Sequence, residues 1–301
     1  MAGQRADVMR SGAGPSCSVW GARVTSTPSG EVVALVLASD RQARLRAGLR
    51  QRSAVRFVAR CREVAPAVAE GPAAAALLEL RDADGTPTPP TIRQLRGSFP
   101  RMPVIAMAPP GSLSGHELVA AVQAGANGLI LQGVEDAGVA LLDAIDHADD
   151  ECTTRVVMAE LGPTLPAAAR PVVEYALSQA RGPVTVDEVA DALGMTRRTL
   201  ARRLARTGLP SPLAVIGWCR LLLAARAMED GGRTLEQIAH QLDFPGAAAL
   251  RNMLVRYTAL RPREVRENGG LRCVLFALRR AIEAGQRGLV EREALDEVRT
   301  A

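Results

Sequence analysis

The sequence contains no lysine, so all 37 of its basic residues are arginines. It has only three histidines, which lie far apart at His116, His147 and His240, and its five cysteines form no C-x-x-C pair. These absences exclude lysine-dependent chemistry and leave little material for a metal or catalytic cluster of histidines and cysteines. Because widely spaced cysteines are typical of a reducing compartment, we expect a cytoplasmic protein without disulfides, bound metal or cofactor.

Long apolar runs are also missing, since no stretch approaches the roughly 18–20 residues that cross a membrane. Residues 1–30 are mostly small residues, proline and arginine, and they lack the apolar centre of a signal peptide. We expect them to form a flexible tail. Aromatic residues make up only 3%, but 48% hydrophobic against 23% charged residues is enough to bury a core. The sequence therefore predicts a folded protein with no membrane partner.

Charge is distributed unevenly along the 301 residues, a length that suits two domains. Residues 31–150 hold 12 arginines and 14 acidic residues, whereas residues 181–270 hold 14 arginines and nine acidic residues. A basic part joined to a slightly acidic part is expected when one of them binds a polyanion, although a solvated arginine-rich surface would give the same count.

Five apolar runs alternate with helical patterns in the first half of the chain. The predicted strands are residues 32–37, 55–59, 74–80, 104–107 and 128–131, and the predicted helices are residues 40–49, 63–69, a segment from Thr91, 115–124 and 135–148. This alternation predicts an N-terminal α/β domain over residues 31–150, a (βα)5 unit whose parallel sheet is covered on both faces. Residues 151–166, with one glycine and two prolines, are predicted to be a linker.

The rest of the chain has helical periodicity and contains two helix-turn-helix patterns. In the first, Thr185 and Glu188 form a capping box, Gly194 suits a left-handed turn, and Thr196 can cap a helix over residues 196–206. That helix carries five arginines and no acidic residue on eleven positions. A basic helix that follows a tight turn is the arrangement that helix-turn-helix proteins insert into the major groove.

The second pattern repeats this layout. Thr234 and Gln237 form another capping box, Asp243 stands at the position of the turn glycine, and the next helix is predicted to begin at about Pro245. Between the two patterns, residues 212–228 are apolar enough to form a helix buried against both. The C-terminal half is therefore predicted to be an all-α double helix-turn-helix.

These residues resemble the DNA-binding domain of the AraC/XylS family of bacterial transcription regulators, and the resemblance assigns residues 167–268 to that domain. It rests on residues 189–204, the Ile238-Ala239 pair and the closing residues 256–266. The resemblance implies that two recognition helices enter successive major-groove segments of double-stranded DNA. The DNA-binding residues that it implies are Thr196, Arg197, Arg198, Thr199, Arg202, Arg203, Arg251, Asn252 and Arg256.

The second recognition helix departs from the family's pattern. Residues 245–249 read Pro-Gly-Ala-Ala-Ala where polar residues and an aromatic are usual, and Leu250 and Leu254 replace two phenylalanines. Alanine offers the bases no hydrogen bonds. We therefore expect Arg198 and Arg202 of the first unit to read bases, as arginine commonly reads guanine. We expect the second unit to contact mainly the phosphate backbone of the DNA.

Residues 31–150 resemble, more weakly, the receiver domain of response regulators. The resemblance rests on the strand-helix order and on the Ala-Gly-Ala-Asn-Gly-Leu-Ile-Leu stretch at residues 124–131. Receivers need an acidic pair, a phosphoacceptor aspartate, a hydroxyl residue and a lysine. The residues at those positions here are Asp40 with Arg41, Glu79, Ala108 and Gln132. This degenerate phosphoacceptor pocket predicts a weakened Mg²⁺ site and a pseudo-receiver that takes no phosphate.

Glu79 leaves two interpretations open. Its carboxylate could hold the domain in an active-like state, or it could be a solvated carboxylate at the end of a strand, which is the interpretation that we favour. The apolar region from the fourth to the fifth predicted helix (Leu118, Val122, Leu131 and Val139) could serve homodimerisation, although we favour packing in the core for most of it.

No P-loop, G-x-G-x-x-G or G-x-S-x-G motif occurs, so we expect no enzymatic activity. The leading hypothesis is a bacterial, sequence-specific transcription regulator whose N-terminal domain dimerises, or binds a regulatory partner, without phosphorylation. Two alternatives stay open, namely a phosphorylation-switched response regulator and an interaction adaptor with degenerate DNA binding. The helical extension at residues 269–301 has no predicted function.

Overall fold

The first half of the chain forms a five-stranded parallel sheet in the order β2-β1-β3-β4-β5. The computed structural model describes residues 30–50, 52–109 and 115–300, with side-chain surroundings up to residue 291, so the predicted tail lies almost entirely outside the described residues. The strands are β1 (Glu31–Leu35), β2 (Val55–Val58), β3 (Ala73–Glu79), β4 (Val104–Ala108) and β5 (Gly128–Leu131). This strand order is that of flavodoxin-like, doubly wound proteins.

Five helices cover the sheet on both faces. They are α1 (Ser39–Leu49), α2 (Cys61–Ala69), α3 (Pro89–Ser98), α4 (Gly115–Gln123) and α5 (Gly138–Leu161). Leu45 of α1 and Leu141 of α5 pack on one face, and Val64 of α2 and Ile92 of α3 pack on the other. The (βα)5 prediction is confirmed, and strands buried on both faces explain why they read as continuous apolar runs.

Helix α5 is longer than the sequence predicts. Its predicted end is residue 148, but it continues through Leu161. Val157 and Leu161 on this added length are buried in the core of the second half of the chain. The prediction of a linker at residues 151–166 is therefore wrong for residues 151–161, because a continuous helix leaves the sheet and packs into the second half. We call the part from β1 to α5 the sheet region.

The second half, which we call the helical region, surrounds one long apolar helix. Its helices are α6 (Arg170–Ser178), α7 (Val186–Ala192), α8 (Arg197–Arg206), α9 (Pro212–Glu229), α10 (Leu235–Gln241), α11 (Ala247–Thr258), α12 (Pro262–Glu267) and α13 (Leu271–Thr300). Helix α9 is buried on nearly all sides and contacts α7 and α8 of the first unit as well as α10 and α11 of the second. The predicted helix at residues 212–228, buried against both units, is confirmed.

The two helix-turn-helix units share their turn geometry. Gly194 has a φ of +65° and Asp243, at the equivalent place, has a φ of +52°. Both are left-handed conformations, which aspartate tolerates better than most residues. The predicted start of the next helix at Pro245 is wrong, because Gly246 stands at the N-cap and α11 begins at Ala247.

The C-terminal extension is a single helix, α13, that packs against α9 with Val274 and Leu278 buried. Farther along, Gly285 meets Gly208, the left-handed residue that follows α8. A Cβ on Gly285 would lie 2.1 Å from the carbonyl oxygen of Gly208, so only glycine allows this approach. The extension therefore supports the end of the first recognition helix.

Alanine at Gly285 should destabilise the protein by about 1–3 kcal/mol, the usual cost of inserting atoms into a packed contact. Gly288, one turn farther along α13, is the matched control, because a Cβ there meets nothing within 4 Å. Gly288→Ala should raise the free energy of unfolding by about 0.5–1 kcal/mol through helix propensity. Chemical denaturation measures both, and equal stabilisation by the two variants would contradict the contact.

Candidate nucleic-acid interface

Helix α8 presents a basic face to solvent because its apolar residues lie on the opposite side. Leu200 and Leu204 are fully buried. The hydroxyl of Thr196 caps the helix by accepting a hydrogen bond from the backbone nitrogen of Thr199 at 3.2 Å, and the two threonine hydroxyls are 3.1 Å apart. The exposed residues of the helix are Arg197, Arg198, Ala201, Arg202, Ala205 and Arg206.

The arginines of this face differ in their freedom to bind a ligand. Arg197 forms an ion pair with Asp187 of α7, with Nε 3.2 Å from Oδ1. Arg203 is only half-exposed. Arg198 and Arg202 are exposed, and within the part of the chain that the structure describes neither has a hydrogen bond or ion pair. These two guanidinium groups, like that of Arg206 nearer the end of the helix, can therefore reach a base edge without first breaking a contact.

Helix α11 occupies the equivalent place in the second unit. Leu250 and Leu254 are fully buried, so the leucines that replace phenylalanines keep the core intact. The predicted contact residues Arg251, Asn252 and Arg256 are all exposed. The structure thus brings the three polar side chains of this helix to its solvent face, while the alanines at its start offer only methyl groups.

A groove of about 710 Å³ runs beside α11 and includes two arginines that the sequence analysis missed. Arg251, Asn252 and Arg256 line one side, and Arg261 and Arg263, at the start of α12, line another. The sequence feature that indicates these two arginines is the Arg-Pro-Arg sequence of the closing segment. Four arginines around one groove favour an anionic ligand that is held by charge.

The turn of the second unit is fixed to α9 by Arg220. Its guanidinium lies 4.1 Å from the centre of the Phe244 ring and donates hydrogen bonds to the carbonyl oxygens of Leu242 at 2.6 Å and Asp243 at 2.9 Å. Burial lowers the pKa of Arg220. Because one side chain caps the left-handed turn and stacks on its aromatic residue, α11 is held in a defined position relative to α9.

In the sheet region, the predicted phosphoacceptor pocket is filled by its own side chains. Glu79 Oε1 accepts hydrogen bonds from Arg41 at 2.6 Å and from Gln132 at 2.7 Å, and Arg41 also donates to the amide oxygen of Gln132 at 2.8 Å. The backbone nitrogen of Leu37 donates to the second carboxylate oxygen at 3.3 Å. Glu79 is only 6% exposed. The interpretation of this residue as a solvated carboxylate is therefore wrong.

The other two pocket positions contribute no side chain to this cluster. The carboxylate of Asp40 is largely exposed and lies 4.0 Å from Arg44. Ala108 is buried at the end of β4, where its carbonyl oxygen accepts a hydrogen bond from the backbone nitrogen of Gln132 at 2.9 Å. Among the described residues, no group of three or more histidine, cysteine, aspartate or glutamate side chains could hold a metal ion.

Comparison with known proteins identifies the class of the second half. Residues 189–268 match the family described as "Helix-turn-helix domain". An AraC-like transcription regulator of Streptomyces lividans is 35% identical over 104 residues, which cover 33% of this chain and 34% of that protein. The HTH-type transcriptional regulator VirS of Mycobacterium tuberculosis (strain ATCC 25618 / H37Rv) is 34% identical over 132 residues, covering 42% of this chain and 38% of that protein.

The helical region thus contains a helix-turn-helix domain. This domain is of the AraC type, as the resemblance predicts. The similarity reaches only about a third of the length of these curated relatives. It therefore identifies the domain and leaves the activity of the whole protein to be proposed below.

Two solved structures resemble this chain at low sequence identity. Full-length FixJ from B. japonicum shares 14% identity with a TM-score of 0.34, and covers 78% of this chain and 100% of that one. RcsB from Salmonella typhimurium also shares 14% identity and a TM-score of 0.34, and covers 64% and 98%. The assignment of the sheet region to a receiver-like fold rests on its strand order and helix placement.

Among the described residues, none of the helices combines the length and the apolar character that a membrane span requires.

Proposed function

We propose that the protein is a sequence-specific, DNA-binding transcription regulator. The observation that carries this proposal is the exposed face of α8, where Arg198 and Arg202 are free of protein contacts inside an AraC-type domain. A helix of this kind can enter the major groove and place arginines against guanine. The relatives named as transcription regulators support the same function for this domain. The proposal contains no catalytic step, and it places the protein with the chromosome in the cytoplasm.

Within this proposal the two units have different tasks. The first unit reads bases through Arg198 and Arg202. The second unit holds the phosphate backbone through the arginines of its groove, because alanines at the start of α11 give bases no hydrogen-bonding partner. The hydroxyl of Thr196 caps α8 and lies 3.1 Å from that of Thr199, and these two residues would contact phosphate and not bases.

The sheet region is proposed to act without phosphorylation. A phosphoryl group bound at Glu79 would have to displace Arg41 and Gln132, both of which already bond to that carboxylate. Ala108 offers no hydroxyl and Asp40 points away from the cluster. The ion pair between Arg41 and Glu79 therefore takes the place of both the metal and the phosphate that a receiver would bind.

We further propose that the sheet region forms a homodimer through the surface made by α4, β5 and α5. Val122 of α4 and Val139 of α5 are 63% and 73% exposed, and Val119 of α4 and Leu129 of β5 are further exposed apolar side chains on these elements. Exposed apolar patches of this kind mark interaction sites on proteins. A second copy is the occupant that we favour, because the proposed function is DNA binding and paired copies double the contacts with an operator.

Glutamate at both Val122 and Val139 should convert the dimer to a monomer, since it places charges in an apolar contact. Sedimentation velocity measures the change. Leu213→Glu is the matched control, because Leu213 is 69% exposed on α9, outside the proposed surface. An unchanged oligomeric state in the Val122→Glu/Val139→Glu variant would contradict this surface.

The central proposal is tested by exposing the full-length protein to fragments of the genome from which it comes and sequencing those retained at several salt concentrations. A small set of fragments that share a sequence, retained at the highest salt, is the expected result. Uniform retention that disappears with salt would show only a basic surface. The adaptor alternative would then replace the proposed function.

A further inference from the structure

Helix α5 carries three aspartates that face the helical region within little more than one turn. They are Asp146, Asp149 and Asp150, and all three are buried or half-buried. The side chains that surround them include four arginines from four different segments, Arg52, Arg181, Arg226 and Arg233. Neither helix-turn-helix unit contains these aspartates, so the sheet region supplies the acidic side of the contact.

Asp146 holds the second helix-turn-helix unit at both ends of α10. Its Oδ1 lies 2.9 Å from Nη2 of Arg233, which directly precedes the capping threonine of α10. Its Oδ2 accepts a hydrogen bond at 2.5 Å from Gln241, the last residue of that helix. Arg52, from the turn after α1, also bonds to Asp146. One carboxylate therefore joins the sheet region to the second unit.

Asp150 makes the corresponding contact with the first unit. Its Oδ2 lies 2.5 Å from Nε of Arg181, in the turn between α6 and α7 that leads into the first capping box. Asp149 lies between the two and reaches α9, accepting hydrogen bonds from Arg226 at 2.8 and 3.1 Å. The first unit, the central helix and the second unit are thus held by successive positions on one rigid helix.

The electrostatic attraction in these ion pairs is largely offset by the free-energy cost of burying their charges. Burial raises the pKa of Asp150 to about 7 although Arg181 lies beside it, and burial also raises the pKa of Asp146. Buried ion pairs contribute little net stability, because desolvation offsets most of the attraction. The contacts can therefore define a geometry while adding little to the overall stability of the fold.

Resting on the function proposed above, we propose that Asp146, Asp149 and Asp150 are positioning residues that couple the sheet region to the spacing of the two DNA-binding units. Helix α9 contacts both units directly, and α5 holds them through a second set of contacts, made by its aspartates. A partner that shifts α5 or the turn after α1 would alter the contacts of Asp146 with Arg52 and Arg233 together. The sheet region can then regulate DNA binding with no phosphoryl group.

The test measures the distance between the two units in the full-length protein without DNA. Spin labels on non-natural residues at Ala201 of α8 and Ala248 of α11, both exposed, report that distance by pulsed electron resonance. The test variants are Asp146→Asn/Asp149→Asn and the single Asp149→Asn, which serves if the double variant does not fold. Asp143→Asn is the matched control, since Asp143 is exposed on the same helix.

We expect one narrow distance distribution in the wild type and in Asp143→Asn, and a broadened or shifted one in the test variants. The conservative variant Asp149→Glu, which keeps the carboxylate that accepts from Arg226, should retain the narrow distribution. Affinity for DNA fragments retained by the wild type should fall about tenfold, within the usual range of coupling between sites. Identical distributions in all variants would overturn the proposal, whatever the DNA result, because the distance is measured without DNA.

Discussion

Alanine at both Arg198 and Arg202 is expected to remove selective binding of DNA while leaving the protein folded. Both side chains are exposed, and within the described residues neither bonds to another group, so truncation breaks no contact. A bidentate contact with guanine contributes roughly 1–3 kcal/mol of discrimination. Losing two such contacts should weaken binding to a preferred site by about 30-fold or more.

The measurement is the Kd for a retained genome fragment and for unrelated DNA, at several salt concentrations. The matched control is Arg251→Ala/Arg256→Ala, which removes two exposed arginines from the other recognition helix. We expect this control to weaken binding to both kinds of DNA equally and to reduce the salt slope by about two. The two double variants then separate base reading from backbone contact.

The opposite result would assign the tasks differently. If Arg251→Ala/Arg256→Ala abolished selectivity and the first pair did not, base reading would belong to the second unit. If neither variant changed a uniform, salt-sensitive affinity, both faces would be basic surfaces without a preferred sequence, and the adaptor alternative would gain support.

The parts of the fold that the sequence predicts well are those set by nearby residues. The capping boxes at Thr185 and Thr234 form with the expected partners, since each needs only side chains three residues apart. The left-handed turn at Asp243 can be predicted because the same layout in the first unit places a glycine at the equivalent position. Leucines four residues apart give the buried side of α8 for the same reason.

The features that the sequence does not predict depend on residues far apart in the chain. The sequence predicts a domain boundary at residue 150, yet Asp149 bonds to Arg226, which lies 77 residues away on α9. The acidic residues at positions 149–151 interrupt the apolar periodicity, so the sequence does not indicate that α5 continues to Leu161. Glu79 can be buried because Arg41, 38 residues away, neutralises its charge and Gln132, 53 residues away, donates a hydrogen bond to it. Pairings across such separations leave no periodic signal in a single sequence.

The wild-type protein should take no phosphate from a small phosphodonor such as acetyl phosphate in the presence of Mg²⁺. Arg41 repels the metal and already occupies the Glu79 carboxylate at 2.6 Å, so neither the cation nor the nucleophile is available. Labelling with the radioactive donor measures this directly. Wild-type labelling that requires Mg²⁺ and is removed by Glu79→Gln would contradict the proposal and support the phosphorylation-switched alternative.

A variant that restores the receiver pattern makes this result informative, because it shows that the fold itself permits the chemistry. Combining Arg41→Asp, Glu79→Asp, Ala108→Thr and Gln132→Lys supplies the metal ligands, nucleophile, hydroxyl and cation that the resemblance requires. We expect this variant to take up label. Glu79→Asp alone is the control and should remain unlabelled, because Arg41 and Gln132 still face position 79. Labelling of the fourfold variant only would show that the side chains of this pocket, and not the architecture around them, prevent phosphorylation in the natural chain.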